Sequence, residues 1–149
     1  MRIARLFLLV LALALLALGA PVRVHAASPP APYEIIVHPG NPAGVLDRRF
    51  CEDAFLKKVT AWPDGAAIRP VDLPPESPVR RSFTEYVLRR SVSAVKTYWQ
   101  QRIFSGRDVP PPELDDEDQV VTYVLKHEGA VGYVSTSANL RGAKVILLQ

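Results

Sequence analysis

The sequence predicts an α/β fold: one small mixed sheet with helices packed on it. Three observations carry this reading. Short β-branched or apolar runs at Glu34–His38, Val131–Ser135 and Lys144–Leu148 have the composition of strands. Apolar residues then recur at helical spacing in four stretches between the first and second of those runs. Finally, Pro and Gly clusters fall between these segments rather than inside them. The resulting order is β-α-β-α-α-α-β-β, with about four strands.

The first strand is closed by Pro39-Gly40-Asn41-Pro42, a turn sequence. Asp47 can cap a helix over 48–58 with Phe50, Cys51, Ala54, Phe55 and Val59 along one side. Trp62-Pro63-Asp64-Gly65 turns the chain into a second strand at 67–72, which Pro70 confines to an edge or a bulge. Ser77 followed by Pro78 starts the next helix, because the hydroxyl can cap free amides and proline's fixed φ suits the first helical position. Val79, Phe83, Tyr86 and Val87 form its inward stripe. A further helix from Ser91 turns Val95, Tyr98, Trp99 and Ile103 inward and stops at Gly106. Pro110-Pro111-Pro112 is an extended spacer. The acidic run Glu113–Asp118 then opens a helix where the dipole favours negative charge; Val120, Val121, Val124 and Leu125 are its inner side and Gly129 its end. Asn139-Leu140-Arg141-Gly142 turns between the last two strands.

At the N-terminus, Arg2 and Arg5 precede an unbroken apolar run from Leu6 to Leu18, and small residues at Val24-His25-Ala26 suit signal-peptidase cleavage. This is a signal peptide over 1–26, and the protein is expected in the periplasm; a retained N-terminal anchor is the alternative. A Pro-rich leader over 27–33 connects it to the domain at 34–149. Cleavage removes 26 of 149 residues, leaving 123, enough for one small domain. It also lowers Lys+Arg from 18 to 15, equal to the 15 Asp+Glu. With no basic excess, a nucleic-acid partner is excluded.

Catalytic patterns are missing as well. Of the histidines, only His38 and His127 lie beyond the leader, and neither stands near a Ser or Cys in an activating arrangement. Cys51 is single, so it forms no internal disulfide, and it reads as a buried apolar residue. The acidic run has no Gly turn or alternating oxygens for Ca²⁺. The expectation is a protein that is not an enzyme and that has no cofactor and no metal.

Three blocks, Phe55–Trp62, Ser77–Phe83 and Gly129–Val134, together resemble one lobe of the periplasmic phosphate-binding proteins that feed ABC transporters, a type II periplasmic-binding-protein-like fold. Gly129-Ala130-Val131-Gly132-Tyr133-Val134 is similar to that family's "GAIGYV" strand, and Phe55–Trp62 to its helix end running into a tryptophan turn, with Lys57 where the family has Gly. The strand ending near Val37, followed by Asn41-Pro42, resembles the crossover into the second lobe. The resemblance covers residues 34–149 and implies a single lobe. In the family, a Ser-Gly-Thr turn at a helix N-terminus holds the phosphate through backbone amides and hydroxyls. By position this implies a ligand site at Ser77, Val79, Arg80 and Arg81. Here Pro78 replaces the Gly and removes an amide donor, Val79 replaces the Thr, and Glu76 adds a negative charge. Arg80 and Arg81 could offset those losses by pairing with an oxyanion; alternatively, they are solvated surface residues and Ser77 a simple cap.

Two functions follow from the resemblance. One is a solute-binding module for phosphate or another inorganic oxyanion, serving an ABC permease. The other is a structural or interaction protein of the envelope that reuses the lobe. In either case a homodimer or an envelope partner would cover the exposed inner face.

Overall fold

The computed structural model describes residues 32–149; the expected signal peptide over 1–26 and most of the expected leader over 27–33 lie outside the described residues. Strands β1 (Tyr33–Val37) and β2 (Val45–Leu46) lead into helix α1 (Arg48–Phe55), followed by β3 (Arg69–Pro70). Helices α2 (Pro78–Tyr86), α3 (Val92–Phe104) and α4 (Glu117–Lys126) come next, then β4 (Ala130–Ser135) and β5 (Lys144–Leu148). The five strands form one mixed sheet in the order β2-β5-β1-β4-β3. β1 lies antiparallel to both β4 and β5, while the two short strands pair parallel at the edges, β2 with β5 and β3 with β4.

Pro70 does sit on an edge strand, and that strand shrinks to two residues because proline donates nothing to a ladder. β2 has no sequence signature: Val45–Leu46 is a strand only because Leu147–Leu148 offer it a partner. α1 ends at Phe55 rather than at 58, where Lys57 takes a left-handed conformation with φ +51°. α4 ends at Lys126, three residues before Gly129.

Alternation along β4 divides the core into two layers. Tyr133 faces α1 and α2, stacked on Phe83 with ring centroids 3.9 Å apart, and Phe55 lies 4.6 Å from Phe83. Gly132 faces the opposite side, against Val120 and Val124 of α4 and Val71. A Cβ there would stand 2.6 Å from Val120 Cγ1, so glycine is what lets α4 lie flat on the strand. Val120, Val121 and Val124 are fully buried, each contributing about 1.5–3 kcal/mol. Two residues expected inward face out instead: Tyr86 is 48 % exposed and Ile103 50 %. Both stand in the final turn of their helices.

Candidate functional site

The corner at the start of α2 is built by a tight approach. Ser77 N–H donates to Pro74 O at 2.9 Å, and Ser77 Oγ accepts from Arg80 N–H at 3.2 Å. Arg81 N–H donates to Ser77 O at 3.0 Å, which starts the helical ladder. Pro78 has no donor. Among the first-turn amides this leaves Val79 N–H without a protein acceptor, and the Val79 side chain is 5 % exposed, part of the core.

Arg80 is not a solvated surface residue. It is 6 % exposed, and its guanidinium points back into the domain. Nη2 lies 3.0 Å from Asp72 Oδ2, while Nη1 donates to Glu113 Oε1 at 2.6 Å and to Leu73 O. Asp72 also accepts from the Tyr133 hydroxyl and, at 3.1 Å, from Leu73 N–H. The segment just after β3, the middle of β4, the α2 helix and the loop before α4 are thereby tied to one charge cluster. Burial acts to lower the Arg80 pKa, but Asp72 and Glu113 more than offset it and the guanidinium stays charged, its pKa above the usual value. Burial pushes Asp72 upward against the pull of Arg80 and Tyr133. The geometry decides between these: with three donors on it, Asp72 is the anion of the pair. Burial and the neighbouring Asp72 push the Tyr133 phenol well above its ordinary range.

Glu113 was expected at a helix start and is instead in the loop, as the third member of this cluster. Asp116 is the cap of α4, accepting from Gln119 N–H at 2.8 Å, and only Glu117 and Asp118 of the acidic run lie in the first turn. The sequence carried one usable signal: Asp72 at the end of an apolar strand, a position where an unpaired carboxylate is costly. Arg81, one residue after Arg80, is exposed and has no ion-pair partner among the described residues. Ser77 and the exposed Arg81, four residues apart on the start of α2, share a helix face, with Glu76 exposed before them, while Arg80 is withdrawn into the domain.

The other two sequence blocks meet elsewhere. Trp62 Nε1–H donates to Gly129 O at 3.0 Å, and a Cβ on Gly129 would lie 1.9 Å from Ala67 O. The tryptophan turn and the glycine strand are thus two halves of one packing contact. Among the described residues no cluster of His, Cys, Asp and Glu is arranged to hold a metal ion, and no helix is long and apolar enough to cross a membrane.

The α/β architecture is similar to one lobe of solved solute-binding proteins. A phosphate ABC transporter substrate-binding protein from Clostridium perfringens, solved with bound phosphate, superposes with a TM-score of 0.63 at 21 % identity, over 79 % of this chain and 45 % of its own. An ABC-type phosphate transport receptor from Vibrio cholerae gives 0.61 at 19 % identity, over 79 % and 46 %. PstS from Borrelia burgdorferi gives 0.61 at 9 % identity, over 80 % and 47 %. The chain thus spans less than half the length of these structures, and at such identities the likeness is one of fold. No protein-family model matches the chain, and no curated protein matches it.

Proposed function

We propose that this chain is an exported, non-catalytic solute-binding lobe whose α2 corner takes an inorganic oxyanion, phosphate in the first instance, in the service of an ABC-type importer. The observation that carries the proposal is the Val79 N–H in the first turn of α2, which has no acceptor among the described residues, on a helix start that also bears Ser77 and the exposed Arg81. A helix N-terminus supplies partial positive charge there, and Arg81 supplies a full one. The fold likeness to phosphate transport receptors supports the choice of ligand class.

Affinity at this corner is weak. Each missing donor to a charged ligand costs about 1.5–3 kcal/mol, or roughly 10- to 100-fold. Pro78 removes one and Val79 another, Arg80 is engaged internally, and an open corner leaves the remaining contacts in water. Calorimetric titration with phosphate tests the reading: binding in the millimolar range, lost in Arg81→Ala, is expected. Silence at saturating phosphate would overturn it.

A specific observation favours a second reading, a docking protein of the envelope. Arg80 is neutralised by two carboxylates, so the corner as a whole gathers acidic groups, Glu76 and Glu113 among them. On that reading the fold is kept for its surface and the ligand has been lost.

A further inference from the structure

Beside the α2 corner, between α3 and the Pro110–Glu113 segment, lies a groove of about 540 Å³. Its apolar walls come from Pro75, Val92, Trp99, Ile103 and Pro110. Immediately after Ile103 stands Phe104, 89 % exposed, the most exposed large apolar residue among those described. Val109, 60 % exposed, precedes the Pro110 wall. One helix thus presents both a cavity and a protruding aromatic ring on adjoining stripes. Ile103, 50 % exposed, and Phe104 make an adjoining exposed apolar pair, and the groove beside them has the volume to accept an aromatic side chain.

The charges around the groove have the same reciprocal character. Lys96 stands on the α3 wall and Glu76 on the opposite one, and neither has an ion-pair partner among the described residues. An isologous contact requires a patch that complements itself, so that residue i of one copy meets j of the other and j meets i. A knob with a hole, and a cation with an anion, meet that requirement on a single face.

We propose that this face joins two copies of the chain, with Phe104 of each copy seated in the groove of the other and Lys96 of each facing Glu76 of the other. Two phenyl rings bury about 300–500 Å² between them. That is roughly a quarter of a standard interface, and Ile103, Val109, Val92 and Pro110 extend it. The expected complex is a dimer of micromolar affinity. It requires no anion at the α2 corner, so it stands or falls separately from phosphate binding.

Sedimentation velocity on the purified chain from about 1 to about 500 μM tests the proposal. Wild type should pass from monomer to dimer across that range. Phe104→Asp, at a site too exposed to disturb the fold, should raise the dissociation constant at least about 100-fold with an unchanged circular dichroism melt. Lys96→Glu alone should weaken the dimer roughly tenfold, and adding Glu76→Lys should restore it. A wild-type monomer at the highest concentration would overturn the proposal. So would a dimer indifferent to Phe104→Asp, or a charge swap that fails to rescue.

Discussion

Two regions of the molecule carry the resemblance to phosphate receptors, and they behave differently. The Trp62–Gly129 contact, with Gly132 beside it, is used for packing: an indole N–H on a carbonyl and two glycines where no Cβ fits. The α2 corner, where a ligand would sit, has its hydroxyl occupied by a cap and its buried arginine held by Asp72 and Glu113. Packing glycines cannot be replaced without moving a strand, whereas a binding corner can exchange donors for internal partners at little cost to the fold. The motifs that make this chain recognisable therefore report the lobe, and they are silent on the ligand.

The sharpest way to break that comparison is Arg80→Ala. It leaves Asp72 buried without its cation and should cost about 3–5 kcal/mol; in a urea titration the midpoint should fall steeply, while Arg81→Ala leaves it in place. A double variant, Asp72→Leu with Arg80→Met, should recover much of the loss, since both charges go together. If Arg80→Ala unfolds at the wild-type midpoint, the arginine is not structural and belongs to the corner after all. On the packing side, Gly129→Ala drives a Cβ into Ala67 O and should cost about 3 kcal/mol, because backbone must move to admit it. Thermal unfolding checks this.

Rebuilding the corner sharpens the same contrast. Pro78→Gly with Val79→Thr returns an amide and a hydroxyl, and phosphate affinity should rise about 10- to 100-fold for each donor that reaches the anion. Calorimetry reads the result, and no gain would mean that the corner does not face a ligand at all.

Cys51 gives a smaller effect with a definite sign. Burial pushes its thiol up from the ordinary 9.0 to about 12. Between those values the folded chain holds a proton that the unfolded chain has released. The contribution of the thiol is therefore complete below pH 9 and declines, at up to about 1.4 kcal/mol per pH unit, as pH climbs toward 12. Cys51→Ala should flatten the alkaline limb of stability against pH relative to wild type, which also carries the raised tyrosines. Smallest of all, Lys57→Gly relieves a φ of +51° and should add about 0.5 kcal/mol, partly offset by loss of the 3.5 Å contact with Asp108.

Periodicity and punctuation determined much of this protein from sequence alone. The first strand, expected at 34–38 and found at 33–37, the capped starts at Asp47 and Ser77, the helix start near Ser91, the edge position of Pro70 and the buried side of α4 all follow from local spacing and cap chemistry. These are features whose causes lie within a few residues of their effects. Tertiary structure alone decided the rest: that Val45–Leu46 is a strand, that Glu113 leaves the acidic run, and that Arg80 turns inward while Arg81 turns out. Each of those outcomes depends on partners outside the element concerned, from eight residues away for Arg80 and Asp72 to about a hundred for Val45 and Leu147, and Asp72 is the plainest case. Its buried carboxylate needs a cation, and Arg80, one position from Arg81, is the one the helix turns toward it.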